Sequence, residues 1–205
     1  MKSVIVRPER CVGCMQCMIA CAVAHSGTKT LYGAIQEKPR PRPRIHIGAG
    51  LYREAFPNRC RHCSPAPCYY ACLPGAIHTI EDRGTVIVDP GRCINCASCA
   101  MVCPFGVIRY HEDVFAPPSR TVAMKCDNCI ERQEKGLIPA CVEACKTGAL
   151  IFEDVNVALS EKTSEVSRRA SVGISEDKVQ PGNPLQLLYK HKETLESLSR
   201  NEIRI

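Results

Sequence analysis

Tryptophan is missing from this chain altogether, and aromatic residues make up only 5% of its 205 residues. Large rings supply much of the bulk of an ordinary core, so a chain of this length is expected to fill its interior with something besides side chains. No apolar run approaches the roughly 20 residues that a membrane-crossing helix needs. The start, Met1 to Pro8, has neither the apolar stretch nor the small-residue cleavage site of an export signal. The expected compartment is therefore a reducing cytoplasm, with any peripheral membrane attachment made through a partner. A nucleotide loop is missing too, because Gly48-Ala49-Gly50 has no third glycine and no evident helix after it. No nucleophile and base stand out as a pair, and no basic stripe is interleaved with aromatics. Neither an enzyme with its own substrate site nor a nucleic-acid partner is expected.

What the chain has in abundance is cysteine, sixteen in all. They fall into four blocks with none left over: Cys11, Cys14, Cys17, Cys21; Cys60, Cys63, Cys68, Cys72; Cys93, Cys96, Cys99, Cys103; and Cys126, Cys129, Cys141, Cys145. The first and third blocks share the spacing C-x2-C-x2-C-x3-C, which holds cubane iron–sulfur clusters and sends its fourth cysteine to the other cluster of a pair. Sixteen soft thiolates taken four at a time imply four [4Fe–4S] clusters. Zinc is the competing reading for the fourth block alone, where C-x2-C and C-x3-C would pass for a zinc knuckle. The three-cysteine run that occurs twice argues against it. With sixteen cysteines for sixteen positions, none of the six histidines is needed as a ligand.

The chain also repeats itself. Val4 to Cys21 returns as Val86 to Cys103 with nine of eighteen positions identical, each copy reading as a β-branched strand, a proline turn and a cysteine loop. Between the second and third blocks, Ala76 to Ile80, a turn at Glu81-Asp82-Arg83-Gly84 and Thr85 to Val88 read as a hairpin. The fold class expected is α+β: two bacterial dicluster ferredoxin-like modules, one inserted in the other, plus a helical C-terminal tail. The inner module takes residues 51–109 and the outer one residues 1–50 and 110–153. The extension at 154–205 is expected to hold helices at about 155–170 and 184–200. The second of these has Asn183 as its cap, and Leu185, Leu188, Leu195 and Leu198 share one face.

The formal charge of +6 counts thiols as neutral. Four oxidised cubanes at about −2 each would bring the loaded protein to about −2, so the basic surplus reads as partial neutralisation of cofactors. A basic residue precedes the first cysteine of every block: Arg10, Arg59, Arg92 and Lys125. A cation there would stabilise a reduced cluster and raise its potential. Lys38 to Arg44 alternates proline with base, an extended strip with its charges in solvent, either a covering loop or a docking surface for an acidic partner.

These motifs resemble a known family. Lys125-Cys126-Asp127, Cys129, Arg132, Gly136 and Pro139-Ala140-Cys141, with Cys60-Arg61-His62-Cys63 and Ala66-Pro67-Cys68, are similar to the four-[4Fe–4S] ferredoxin-type subunits that serve molybdenum reductases, formate dehydrogenases and hydrogenases. Within that family, Ala20 to Ser26 most resembles the CooF-type partner of nickel carbon monoxide dehydrogenase. The resemblance implies an electron-transfer subunit moving single electrons between carbon monoxide dehydrogenase and a second redox partner such as a hydrogenase. A formate dehydrogenase or hydrogenase complex is the alternative within the class, and an iron–sulfur redox sensor the alternative outside it. It also implies a crossed pairing: Cys11, Cys14, Cys17 with Cys145; Cys126, Cys129, Cys141 with Cys21; Cys60, Cys63, Cys68 with Cys103; Cys93, Cys96, Cys99 with Cys72. Some members carry a non-cysteine at the position of Cys99 and hold three irons there, so Cys99 implies four complete cubanes.

Overall fold

The β-branched runs ahead of the two matching cysteine blocks do form strands in the computed structural model, which describes residues 2–50, 54–113, 120–171 and 192. They are β1 (Lys2–Val6) and β5 (Thr85–Val88), and they pair with different partners. β1 lies antiparallel to β8 (Leu150–Asp154), with Val4 opposite Phe152 and Val6 opposite Leu150. β5 lies antiparallel to β4 (Ile77–Ile80), Ile77 facing Val88, and closes the expected hairpin through a 3-10 turn at Glu81–Arg83. Gly84 ends that turn at a φ of 56°, which glycine adopts at no steric cost.

Two further ladders carry no periodic signal in the sequence. β2 (Ile45–Ala49) pairs with β3 (Ala55–Arg59), and β6 (Arg109–Glu112) pairs with β7 (Thr121–Met124). Gly48-Ala49-Gly50 belongs to the first of these hairpins, where the Gly50 amide donates to the Glu54 carbonyl at 2.7 Å. Every sheet among the described residues is a two-stranded ribbon, and such ribbons are marginal alone. Their stability has to come from what packs on them.

What packs on them is aliphatic side chains together with cysteine sulfur. One core gathers Ile77, Val86, Ile108 and Val122 around Cys93 and Cys99; another gathers Val4, Ile45 and Leu150 around Cys17, Cys21 and Cys141. Four of the helices carry cysteines. α1 (Gln16–Ala24) presents Cys17 and Cys21 one turn apart on its buried face. α3 (Pro67–Tyr70), α4 (Ser98–Met101) and α6 (Ala140–Glu143) are single turns that carry Cys68, Cys99 and Cys141. α2 (Leu31–Gln36) and α5 (Ile130–Glu134) lie outside the cores, with Thr30 capping α2 by accepting from the Gly33 amide.

The tail helix expected at about 155–170 is α7 (Val155–Ser171), held to the residue after β1 by Arg7 and Glu161 at 3.1 Å. The second tail helix, with Leu185 to Leu198, lies outside the described residues. The strip from Lys38 to Arg44 forms no strand, and Arg40 and Arg42 are exposed. Arg44 departs from the expectation that the strip's charges all face solvent. It turns inward to Asp127, where its charge meets a carboxylate at 2.6 Å. No helix among the described residues is long and apolar enough to cross a membrane.

Candidate metal centres

The cysteine loops share one backbone device. Two residues after the first cysteine of each block, the chain takes a positive φ: Gly13 at 71°, His62 at 50°, Asn95 at 58° and Asn128 at 61°. Glycine and asparagine tolerate this region best, and the reversal it produces brings successive thiols round to one side. The next odd position repeats as well, with Met15 and Ala97 at 60° and 62° in the two matching blocks. These non-glycine residues are strained there unless the surrounding structure holds them. The same turn aims amides at sulfur: His62 N donates to Cys60 Sγ and Asn128 N to Cys126 Sγ, each at 3.4 Å. Longer-range amides do likewise, from Arg44 to Cys21 (3.2 Å), Ala123 to Cys93 (3.3 Å) and Leu150 to Cys145 (3.3 Å).

The sixteen thiols gather into four groups drawn from different blocks. Cys60, Cys63, Cys68 and Cys103 line one cavity, and Cys72, Cys93, Cys96 and Cys99 line another. Cys145 lies beside Cys11, Cys14 and Cys17, and burial together with these three neighbours pushes the Cys17 thiol up to about 11. Cys21 sits with Cys126, Cys129 and Cys141; burial first, and then the Asp127 carboxylate with the neighbouring Cys126 and Cys21, pushes Cys129 up to about 12. Cys126 is the exception in this group. Its burial would raise it, but the guanidinium of Arg59 overrides that and holds the thiol below its ordinary value.

All sixteen cysteines are among the described residues, and no three of their sulfurs lie within 4.8 Å of one another. Tetrahedral zinc with Zn–S bonds of about 2.3 Å would draw four sulfurs to about 3.8 Å apart. The quartets are too open for one ion, and four soft donors with amides aimed at the sulfurs suit a polynuclear iron–sulfur core. Single cysteines within the quartets differ in exposure. Cys14 and Cys96, one in each matching block, are exposed, while Cys60 and Cys126 are buried together against Val107.

Side chains from elsewhere reach two of the centres. Tyr110 Oη lies 3.2 Å from Cys99 Sγ. Around Cys21, the imidazole of His25 lies 2.7 Å from the Cys21 carbonyl through Nδ1 and 3.0 Å from Asp127 through Nε2. Asp127 also accepts from Arg44 and from the Cys129 amide at 2.9 Å. Burial alone would push this carboxyl up; the hydrogen bond and charge of His25, with Arg44 and the amide, hold it well below the usual range. Sequence reasoning gives the histidines no role, yet His25 stands one helical turn after Cys21 and Asp127 directly after Cys126. Those positions are the available signal.

The four basic residues ahead of the blocks divide into pairs. Arg10 and Arg92 stay exposed, and Arg92 turns back to Asp89 at 3.4 Å. Arg59 is 1% exposed and Lys125 4%. Arg59 Nη2 reaches Cys126 Sγ at 3.5 Å, and Lys125 Nζ reaches Cys60 Sγ at 3.7 Å.

A family model described as "4Fe-4S dicluster domain" matches residues 51–155, a span that holds the second, third and fourth blocks. The chain is 38% identical over 167 residues to a protein of Rhodospirillum rubrum named iron-sulfur protein, covering 77% of this chain and 86% of that one. It is 34% identical over 181 residues to the electron transport protein HydN of Escherichia coli, covering 82% and 97%. One of the subunits of the tetrathionate reductase of Salmonella typhimurium is 32% identical over 154 residues, 75% of this chain and 58% of that protein.

Proposed function

The chain belongs to the 4Fe–4S dicluster domain family and is an iron–sulfur electron-transport protein; from that premise we propose that it carries single electrons through four [4Fe–4S] clusters between a catalytic redox subunit and a second carrier. The observation that carries this reading is the sorting of sixteen thiols into four mixed quartets, two reaching the surface at Cys14 and Cys96 and two meeting inside at Cys60 and Cys126. Bound clusters would supply reversible one-electron redox chemistry. The chain's part is to hold each site with one cysteine borrowed from another block and to donate hydrogen bonds to the thiolates. The ligands we assign are Cys11, Cys14, Cys17, Cys145; Cys21, Cys126, Cys129, Cys141; Cys60, Cys63, Cys68, Cys103; and Cys72, Cys93, Cys96, Cys99. In this reading residues 51–109 form a ferredoxin module inserted in another made of 1–50 and 110–153, supported by β4 pairing with β5 and β1 with β8.

For the catalytic partner we propose carbon monoxide dehydrogenase, on the strength of the Ala20 to Ser26 stretch, with a hydrogenase as a fitting second partner. A reductase or formate dehydrogenase complex is the second reading, favoured by the likeness to a component of tetrathionate reductase. Arg40 and Arg42, exposed on the strip, are cations that an acidic docking face would meet. Anaerobically purified protein is expected to hold about sixteen iron and about sixteen acid-labile sulfide per chain, with visible absorption bleached by dithionite. Stoichiometric zinc would overturn the reading. Reduction by formate dehydrogenase and formate, but not by carbon monoxide dehydrogenase and carbon monoxide, would overturn the partner alone.

A further inference from the structure

Arg59 and Lys125 each precede the first cysteine of a block, and each serves the block that the other introduces. Arg59 passes its neighbour Cys60 and donates to Cys126 Sγ, to Asn128 Oδ1 at 3.0 Å and to the Val4 carbonyl at 2.9 Å. Lys125 passes the sulfur of its neighbour Cys126 and donates to Cys60 Sγ and to the carbonyls of Val86 and Cys126. The partners are carbonyls, one amide and two sulfurs, with no carboxylate among them. His62 packs at the same junction, its Nδ1 accepting from the Val86 amide.

Two buried cations with only neutral acceptors would be costly in a low-dielectric interior. The cost is met if negative charge stands on both sides of the junction, which is where the quartets of Cys60 and Cys126 lie. We propose that Arg59 and Lys125 are an exchanged pair of positioning residues for the electron step between the two inner sites, each raising the reduction potential of the site introduced by the other's block. The inference rests on the reading of those quartets as iron–sulfur sites. In the step, the site of Cys60, Cys63, Cys68 and Cys103 loses one electron as that of Cys21, Cys126, Cys129 and Cys141 gains it, or the reverse. No bond is made or broken and no proton is carried. Exchange also ties the modules together, since neither block can shift without withdrawing its cation from the other's sulfur.

The test is an anaerobic redox titration of the loaded protein followed by electron paramagnetic resonance, with Cys63→Ser and Cys129→Ser identifying the two inner signals. Arg59→Met is expected to lower the potential of the Cys126 site by about a tenfold change in its reduced-to-oxidised ratio, or about 59 mV for one electron. The Cys60 site, although adjacent in sequence, is expected to move by less than about threefold. Lys125→Met should give the mirror image, and Arg92→Met should move neither. These shifts should persist in high salt, because buried charges are screened little. A larger shift at the adjacent site, or full iron with no shift at all, overturns the proposal. If the methionine variants do not assemble, Arg59→Lys and Lys125→Arg decide. Assembly with unmoved potentials supports a role for charge, and loss of assembly in these variants too overturns it in favour of shape. Wild-type protein that holds no iron overturns the iron–sulfur reading first, and is seen before any variant is made.

Discussion

Asp127 lies where three distant stretches converge: it is 102 residues from His25 and 83 from Arg44, and all three surround Cys21. Cysteine spacing is a local signal, which is why the blocks are legible in the sequence. This triad has no local spacing to read: the family motif includes Asp127, but nothing in the sequence joins it to His25 and Arg44. Its contacts are charge-assisted, so Asp127→Asn should destabilise the protein by about 2 kcal/mol. The measurement is the guanidinium midpoint for loss of visible absorption under anaerobic conditions, with the iron content of the unstressed variant unchanged. An unchanged midpoint would mean that Arg44 and His25 are satisfied equally well by water.

At the scale of elements, the strands show where sequence reading stops. Val4 to Val6 announces a strand through its β-branched run, but not that its partner is β8, because a ladder between residues 2–6 and 150–154 leaves no mark in either segment. Leu150 is 2% exposed and packs with Val4 and Ile45 in that corner. Leu150→Ala should cost about 3 kcal/mol, seen as a lower thermal midpoint, and should release iron earlier on heating. The β2–β3 hairpin is hidden because Gly48 within its strand and Gly50 after it read only as an incomplete nucleotide loop. A pH effect belongs to β2 and β6. Burial comes first among the causes that lower His46, followed by Arg109 and His111; for His111 they are burial, then Arg42 and Arg109. Both folded values lie below the unfolded value of about 6.5. Their contribution is therefore fully present above about pH 6.5 and is lost as the pH falls below it, when the unfolded chain takes up protons that the native one refuses. Urea midpoints at about pH 5.5 and 7.5 should differ less in the double variant His46→Gln, His111→Gln than in the parent.

Over the whole molecule, the assigned ligation ties each site to cysteines from more than one block, so damage should appear far from where it is made. Cys21→Ser is expected to perturb the signal of the site held by Cys126, Cys129 and Cys141 and to spare that of Cys11, Cys14 and Cys17, its own neighbours. Electron paramagnetic resonance of the reduced variant checks this, and loss of the neighbours' signal instead would refute the crossed assignment. The placement of Cys145 beside Cys11, Cys14 and Cys17 has a further consequence, in time. Cys145 follows Cys11 by 134 positions, and at ordinary elongation rates that interval lasts about ten seconds. Throughout it the nascent chain displays three reactive sulfurs whose fourth companion has yet to be synthesised. The hairpin from Ile77 to Val88 can meanwhile close, because the second and third cysteine blocks that flank it are both synthesised before Cys145. Synthesis itself thus imposes a schedule in which the middle of the chain matures early and its two ends finish together.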